Sequence, residues 1–388
     1  IKKNNIMIPY SKQKISKEDI KAVNKILRSK NLTQGKTIEK FEKQICNFVG
    51  SRYGVANNSG TSSLHIACLA LNLKQKEYLW TVGNSFVASA NCGRYCGAHI
   101  DFVDINSKTF NIDTRTLEKK LQKTPKKKLP KILVVVHFAG EPADMEKIYQ
   151  LKKKYKFKVI EDASHALGAK IKKNFIGSCK YSDVTVFSFH PVKSITTAEG
   201  GMATTNDKNL YKKMQLFRNH GITRELKFLK KKINSYWYYE QQQLGFNYRM
   251  NDIEAALGIS QLKKLKKFVY ERKKIVVNYR KLLKNLPISF QKLSQDNLSS
   301  HHLCVIKLNF KIIKKNYDNI FKKLRSLNIG INLHYLPIYN HPYYKKIKNY
   351  KKLKNTENYY KSAISIPVFP GLSKGQQKKI CNILKKII

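Results

Sequence analysis

The sequence predicts an α/β fold: a mostly parallel sheet covered by helices on both faces, followed by a smaller C-terminal α+β domain. Short apolar runs of strand length recur along the first part of the 388-residue chain, and segments with helical periodicity lie between several of them. Lysine, abundant elsewhere, is nearly absent from the stretches that hold these runs. Because lysine is rarely buried completely, its absence marks the expected interior.

Five lysine-poor stretches define that interior. Four contain no lysine and the remaining one contains only Lys193: residues 52–73, 77–107, 132–146, 181–207 and 234–262. Within and beside them, the expected strands are YLWT, AHIDFVD, ILVVVHF, FKVIED and VTVFSF, and the expected helices cover residues 62–71 and 145–155. Strands that alternate with helices form parallel sheets whose two faces are both covered.

Lysines return from residue 263, which sets the predicted domain boundary. The expected domains are residues 1–262, with an N-terminal arm at 1–35, and residues 263–388. After a helical stretch that ends near Leu283, the second domain is expected to contain the strand LCVIKLNF, a helix at 317–327, a strand ending in LHYLP, the strand AISIPVF and a last helix.

The composition is typical of a soluble cytoplasmic protein. Hydrophobic residues make up 42% of the chain, and no apolar run is long enough to span a membrane. The segment IKKNNIMIPY is basic but lacks the apolar core and cleavage site of a secretory signal. Seven cysteines, an odd number without a C-x-x-C pair, favour buried free thiols over disulfides or a metal site.

The net charge of +51 raises the question of a nucleic-acid partner. Only ten of the 76 basic residues are arginine, whereas recognition of bases and phosphates favours the planar guanidinium group. The lysines therefore indicate a solvated basic surface rather than a nucleic-acid site. No membrane partner is expected either.

Lys193 is the first candidate functional residue. It lies between VTVFSFHP and TTAEGG, in a segment that otherwise excludes lysine. Enclosure would lower the pKa of its amine and make the neutral, nucleophilic form accessible, as Schiff-base chemistry requires. The alternative is a lysine at a strand end whose charged group reaches back to solvent.

Two further stretches suit an anionic, nitrogen-containing ligand. NNSGTSSLHIA places Gly60, Thr61 and Ser62 before a helix whose N-terminus can bind a phosphate, although an ordinary N-cap explains these residues equally well. VIEDASHALGA ends a buried strand in two carboxylates. Asp162 could pair with a protonated ring nitrogen, or it could cap the following turn.

Aromatic residues mark two more places. Phe86 lies at a predicted strand-to-helix junction in GNSFVASANC, where its ring could stack on a planar ligand or pack in the core. The stretch YWYYEQQQLGFNYRMNDIEAALG combines aromatic side chains with Asn247 and Arg249 ahead of a helix. So many aromatic and amide groups without a lysine indicate an interface or a site.

The motifs GT, FVASAN, EDASHALG, SFHxxKxITTxEGG and LGFNYRM occur in that order. Together they resemble the DegT/DnrJ/EryC1/StrS sugar aminotransferases, which are pyridoxal-phosphate enzymes with the aspartate-aminotransferase fold (fold type I). The resemblance runs over essentially the whole chain. The segments IPYSKQKI, SKNLTQGK, RNHGIT and HYLPIYNHPYY are most similar to the branch that acts in pseudaminic acid biosynthesis.

The resemblance implies a pyridoxal 5'-phosphate cofactor and a role for each matching residue. Lys193 would hold the cofactor covalently and transfer a proton, Asp162 would keep the cofactor's ring nitrogen protonated, and His165 would lie near the phenolic oxygen. Phe86 would stack on the ring. The phosphate would be bound by Gly60, Thr61, Ser188 and, from a second subunit, Asn247.

The same resemblance implies the substrates and the assembly. L-glutamate would donate its amino group to C4 of a UDP-linked 4-keto-6-deoxy-N-acetylhexosamine, and the subunits of a homodimer would share their active sites. The positions that would line the sugar-nucleotide and carboxylate sites are Tyr10, Asn31, Leu32, Thr33, Arg249, His334 and Tyr335.

Two alternatives remain open from the sequence. One is an aminotransferase for another nucleotide-linked 4-ketosugar, as in bacillosamine, perosamine or legionaminic acid pathways. The other is a basic nucleic-acid-binding or regulatory protein on the same fold, which the charge of +51 favours.

Overall fold

The computed structural model describes residues 7–388. Residues 1–6, which belong to the predicted N-terminal arm and first domain and to the basic segment IKKNNIMIPY, lie outside the described residues. The helices are α1 Lys17–Leu27, α2 Lys36–Val49, α3 Gly60–Ala70, α4 Ala88–Tyr95, α5 Thr114–Lys123, α6 Met145–Tyr155, α7 Lys208–Arg218, α8 Asp252–Leu262, α9 Leu265–Leu282, α10 Tyr317–Ser326, α11 Pro342–Ile347, α12 Lys354–Tyr360 and α13 Lys374–Ile387.

The strands are short and fall mainly in the predicted apolar runs. They are β1 Tyr53–Asn57, β2 Tyr78–Val82, β3 His99–Val103, β4 Ile132–Val136, β5 Lys158–Asp162, β6 Lys170–Ile171, β7 Asn174–Phe175, β8 Val184–Ser188, β9 Gly201–Thr205, β10 Ile222–Thr223, β11 Glu240–Gln241, β12 Ile288–Phe290, β13 Asn297–Leu298, β14 Cys304–Leu308 and β15 Ala363–Ile366.

The central sheet has seven strands in the order β1-β9-β8-β5-β4-β2-β3. Strands β3, β2, β4, β5 and β8 run parallel, whereas β9 pairs antiparallel with both β8 and β1. The predicted mostly parallel sheet is therefore confirmed. In the sequence, strand β4 indicates this sheet, because all of its residues are apolar. An antiparallel strand with one face in solvent would alternate apolar and polar residues instead.

The two faces of the sheet pack into two separate core layers. In β4, Ile132 and Val134 join one layer, while Leu133 and Val135 join the other. Such alternation follows from the two-residue period of a strand. Helix α3 contributes Leu64 to the first of these layers, and helices α2, α5 and α6 cover the opposite face.

The register of the parallel strands aligns their carboxyl ends. Asp162 at the end of β5 lies opposite Val136 of β4 and Val186 of β8. Ser188 at the end of β8 lies opposite Gly201, the first residue of antiparallel β9. Polar residues that follow these strands therefore meet at one edge of the sheet, where ligands bind in open α/β sheets.

A second sheet of three antiparallel strands, β12-β14-β15, forms the smaller part of the fold. Its core is a third cluster, to which α9, α10 and α13 contribute Tyr279, Leu324 and Leu384. The predicted boundary at 262–263 falls between α8 and α9, and the division into two domains stays a prediction. Backbone bonds join the start of the chain to this part: Ile8 pairs with Ile329, and Tyr10 accepts a bond from Val368.

One predicted strand is wrong. The segment that ends in LHYLP forms only isolated bridges, at Ile329 and Asn332, and no strand. Its apolar residues do not alternate along a sheet, because the backbone around Gly330 packs against Ile8 and the following side chains turn towards a cavity. The apolar composition of the segment was correct evidence of burial but not of pairing.

Two findings concern bonding and membranes. All seven cysteines are free thiols; Cys96 is partly exposed and the other six are buried.

Within residues 7–388, no helix has both the length and the apolar composition needed to cross a membrane.

The contact between the α3 N-terminus and β9 predicts a stability effect at Gly201. A Cβ there would collide with the carbonyl of Ser59, so Gly201→Ala is expected to lower the free energy of unfolding by about 1–3 kcal/mol. The control is Gly375→Ala in α13, where a Cβ makes only an ordinary contact with the Ser373 hydroxyl at 3.8 Å. There the free energy of unfolding should rise by a few tenths of a kcal/mol, at most about 1 kcal/mol. Urea unfolding followed by circular dichroism measures both. Equal stability of the two variants would contradict the close approach.

Candidate active site

A cavity of about 460 Å³ opens at the carboxyl edge of the central sheet. The residues that line it are far apart in sequence. They come from the N-terminal segment, the loops after β5 and β8, the start of α3 and the segment after α10. Of the predicted site residues, it brings together Tyr10, Gly60, Thr61, Phe86, Asp162, His165, Ser188, Lys193, His334 and Tyr335.

Asp162 and its neighbour Glu161 point to opposite sides of the sheet. Glu161 is bound by the imidazole of His137 at 2.7 Å, together with the hydroxyls of Ser182 and Thr185. Burial opposes its ionisation, yet these hydrogen bonds lower its pKa overall. Asp162 is left to face the cavity, so the two carboxylates of this strand have different roles.

The Asp162 carboxylate is held from both sides. One oxygen accepts from the backbone amide of Ser164 at 3.2 Å and from its hydroxyl at 2.6 Å. The other accepts from the hydroxyl of Ser89 in α4 at 2.6 Å. The two readings of Asp162 from the sequence are thus compatible, because the side chain bonds the following turn and also lines the cavity. Charge-assisted bonds of this kind hold a carboxylate in a fixed orientation.

Lys193 lies in the loop after β8, and its side chain enters the same cavity. Burial lowers the pKa of its amine to about 8, against an ordinary value of 10.5, while the negative charge of Asp162 opposes that shift. A substantial fraction of the amine is therefore neutral near physiological pH, as a nucleophile or proton acceptor must be. The hydroxyl of Ser11 donates to the carbonyl of Val192 at 3.1 Å and ties the N-terminal segment to this loop.

His165 is a neutral, fully hydrogen-bonded imidazole. The backbone amide of Ala139 donates to Nδ1 at 3.3 Å, so the ring proton resides on Nε2, which lies 3.1 Å from the hydroxyl of Tyr335. Burial lowers the pKa of His165 well below its usual range, and electrostatic interaction with Lys193 and His334 lowers it further. His165 therefore presents a hydrogen-bond donor to the cavity.

The start of α3 offers an anion-binding surface. Ser59 caps the helix by accepting from the amide of Ser62, whereas the amides of Gly60 and Thr61 have no acceptor within residues 7–388. A Cβ on Gly60 would come within 3.0 Å of the Ser188 Cβ. The helix N-terminus, the free amides and the Ser188 hydroxyl together suit a phosphate group.

Aromatic side chains surround the cavity mouth. Phe86 follows β2 and precedes α4, as predicted, and 58% of its surface is exposed. Its ring lies 6.1 Å from that of Tyr335. Tyr10 packs against His334 with ring centroids 5.2 Å apart. Burial lowers the pKa of His334 to about 3, so this ring too is neutral.

Five predicted residues do not line this cavity in the single chain. Asn31, Leu32, Thr33 and Asn247 are exposed elsewhere on the surface. Arg249 donates to the side chain of Asn219 at 2.6 Å and lines two other clefts. Their expected roles stay predictions, and within one subunit the geometry does not support direct contact with the Lys193 cavity.

Sequence reasoning missed four residues at the site: Ser89, Ser164, His302 and Asn332. Ser164 follows Asp162 by two positions, the spacing of a common side-chain turn, and was within reach of local analysis. The other three come from distant segments and carried no motif. Among residues 7–388, no group of three or more His, Cys, Asp or Glu side chains is arranged to hold a metal ion.

Comparison with known proteins accounts for this arrangement. Residues 13–385 match the model of the DegT/DnrJ/EryC1/StrS aminotransferase family. The chain belongs to this family.

Among relatives, a UDP-4-amino-4,6-dideoxy-N-acetyl-beta-L-altrosamine transaminase of Campylobacter jejuni is 38% identical over 383 residues, covering 98% of each chain. Among solved structures, Helicobacter pylori PseC, an aminotransferase of pseudaminic acid biosynthesis, is 33% identical with a TM-score of 0.89, covering 98% of this chain and 99% of that one. A putative sugar aminotransferase from Streptococcus pneumoniae in its PLP form is 25% identical with a TM-score of 0.88, covering 98% and 100%. These likenesses confirm the aspartate-aminotransferase fold.

The environment of Lys193 predicts an unusual pH profile. Its reductive methylation by formaldehyde should level off above about pH 8, whereas an amine with the ordinary pKa of 10.5 would keep gaining reactivity above that pH. The exposed Lys180 is the reference residue. Asp162→Asn removes the charge that raises the pKa, so its midpoint should fall below that of the wild type. Peptide mass spectrometry of cofactor-free protein measures both residues in one sample. A Lys193 profile identical to that of Lys180 would show that the amine is not enclosed.

Proposed function

We propose that this protein is a PLP-dependent aminotransferase that moves the amino group of L-glutamate to C4 of a UDP-4-keto-6-deoxy-N-acetylhexosamine. The product is UDP-4-amino-4,6-dideoxy-N-acetyl-beta-L-altrosamine, an intermediate of pseudaminic acid biosynthesis. The central support is the enclosure of Lys193 with Asp162 in a cavity that also holds a helix N-terminus. The relatives from Campylobacter jejuni and Helicobacter pylori support the sugar and the pathway.

The cavity residues fit pyridoxal phosphate. A neutral amine, an oriented carboxylate, two amides without acceptors and an exposed aromatic face are the groups that its aldehyde, ring nitrogen, phosphate and ring require. A larger residue at Gly60 would crowd Ser188 and fill the space that the phosphate needs. When bound, the cofactor supplies an electron-withdrawing ring that stabilises negative charge on the amino donor's α-carbon.

Each protein group then has a defined task. Lys193 would hold the cofactor through its aldehyde, and its amine would accept and return the proton of the amino donor's α-carbon, for which a pKa of about 8 is well matched. Asp162 would keep a proton on the ring nitrogen, and Ser89 and Ser164 keep that carboxylate in place. His165 would donate a hydrogen bond from Nε2 to the phenolic oxygen. Phe86 would cover the ring and exclude water.

The proposed enzyme is a homodimer located in the cytoplasm. Asn247 and Arg249 lie outside their own cavity, beside an exposed apolar stretch in which Tyr236 and Trp237 are 103% and 70% exposed. Exposed aromatic residues of this kind are typical of interfaces. A second subunit on this surface would bring Asn247 to the partner's phosphate site. Asn31, Leu32, Thr33 and Arg249 would reach the sugar nucleotide in the same assembly, while Tyr10, His334 and Tyr335 would contact it within one chain.

Replacing Lys193 tests the reaction. With UDP-4-ketosugars and L-glutamate, Lys193→Ala is expected to lose amino-sugar formation and the yellow colour of the bound cofactor, since both need the amine. Lys180→Ala, a surface lysine just before the same segment, is the control and should behave as wild type. Mass spectrometry identifies the product from a panel of ketosugars.

Three outcomes would change the proposal. Amination of a different ketosugar would leave the reaction class intact and correct the substrate. Full activity of Lys193→Ala would overturn the assigned chemistry. A colourless wild-type protein that binds duplex DNA with steep salt dependence would favour the nucleic-acid alternative instead.

Mixed dimers test the shared site. Lys193→Ala should be inactive and Asn247→Ala weakly active alone, yet their co-expressed mixture should recover about a quarter of wild-type activity, because half of randomly paired dimers then contain one intact site. The activity of the co-expressed mixture measures this, and heterodimers purified through two different tags should reach about half of wild-type activity, because each contains one intact site of two. A mixture no more active than its components would place Asn247 in its own subunit's site or in none.

A further inference from the structure

His302 is a buried histidine at the cavity that has no assigned role. It precedes β14, only 1% of its surface is exposed, and it lines the cavity beside Lys193 and His165. Its Nδ1 is buried and has no hydrogen-bond partner within residues 7–388. A buried polar atom without a partner lowers the free energy of unfolding by about 1–3 kcal/mol. An apolar residue at this position would avoid that loss of stability.

The segment around His302 is fixed to the loop after β4. The amide of Ser300 donates to the carbonyl of Gly140 at 3.0 Å, and the amide of Leu303 donates to the carbonyl of Ala139 at 3.3 Å. Arg272 of α9 donates to the His302 carbonyl at 3.1 Å. The ring of His302 therefore projects from a backbone that is held on both sides.

The same segment contacts His165 directly. The hydroxyl of Ser300 donates to the backbone carbonyl of His165 at 2.6 Å. The two imidazole rings of His302 and His165 face each other, with centroids 4.4 Å apart and planes tilted by 34°. The edge of His165 is bound at one nitrogen by the amide of Ala139 and at the other by Tyr335, so the His302 ring supports its face.

We propose that His302 is a positioning residue: the face of its ring holds the His165 ring in the plane that presents Nε2–H to the cavity. Without that support, His165 could rotate about its side-chain bonds, because the hydrogen bonds at its two nitrogens are long, at 3.3 and 3.1 Å, and restrain the ring only weakly. A flat partner ring at about 4.5 Å restrains the tilt. The segment before β14 thereby fixes the direction of the His165 Nε2–H group, which belongs to the loop after β5.

The electrostatic surroundings agree with this role. The groups that face the pair are Lys193, His334, Arg272 and the hydroxyl of Tyr335. Burial lowers the pKa of His302 well below its usual range, and electrostatic interaction with His165, Lys193, Arg272 and His334 adds to this effect. Both stacked rings are therefore neutral, and they pack without charge repulsion.

Two apolar replacements separate the ring face from the nitrogens. His302→Phe keeps a flat ring, His302→Leu removes it, and both remove the unpartnered Nδ1, so neither should lower thermal stability. Nitrogen NMR of histidine-labelled, cofactor-free protein reads the tautomer of His165. We expect the wild type and the Phe variant to show one neutral form with the proton on Nε2. The Leu variant should show averaged tautomers and a pKa that moves towards 6.5.

The consequence for catalysis rests on the proposed function, and the two are tested separately. The Leu variant should lose about tenfold or more in kcat with little change in KM, and the Phe variant should retain activity. His301→Ala, which removes a buried imidazole of the same segment that does not line the cavity, is the matched control. His302→Met replaces the Leu variant if that protein does not fold.

The outcomes decide between clear alternatives. Wild-type His165 signals in both His302 variants would show that the ring face has no positioning role. Equal loss in both would show that a nitrogen of His302, and not its plane, is required. Either result overturns the proposal even if the enzyme proves to be an aminotransferase. Conversely, a protein without that activity could still show the predicted difference between Phe and Leu.

Discussion

The structure depends on the enclosure of one amine beside one carboxylate. Lys193 and Asp162 occupy a cavity at the sheet edge, where burial lowers the lysine pKa to about 8 and the carboxylate limits that shift. Removing an amine from water is costly, and a nearby negative charge compensates for part of the cost. Hydroxyls from two different elements, Ser89 and Ser164, hold the carboxylate. Much of the local structure therefore keeps the Lys193 amine and the Asp162 carboxylate oriented in a cavity that is partly shielded from solvent.

That space is built from two cores. The central sheet supplies Asp162 and Lys193, whereas the segments around β14 and after α10 supply His302, His334 and Tyr335. His165 connects them, since it accepts from a loop of the central sheet and bonds Tyr335 at its other nitrogen. The packing of the smaller sheet against the larger one thus determines the shape of the site. A change in their relative position would alter the donor that His165 presents.

The large positive charge has a simple physical distribution. Within residues 7–388, the strands of the central sheet contain one lysine, the exposed Lys158 at the start of β5, and the cavity is lined by one lysine, Lys193. Most of the remaining lysines lie on exposed positions. Several exposed ones pair with the scarce carboxylates, as Lys172 does with Glu146. Such surface pairs contribute little to stability, and the charge is a property of the surface rather than of the site. Its long-range field would attract a diphosphate substrate.

The sequence alone was enough to predict the parallel sheet, most of its strands and helices, the position of Lys193 and Asp162 in one site, and the family. These predictions depend on local patterns: strand-length apolar runs, helical spacing and motifs whose residues act within a few positions of one another. It was not enough for the segment ending in LHYLP, where apolar composition indicated burial but tertiary contacts prevented a strand. Nor could it place Ser89, His302 or Asn332, or show that Asn31 and Arg249 lie outside their own subunit's cavity. Contacts between distant segments arise only when the two cores pack together, and no local pattern in the chain encodes those distances.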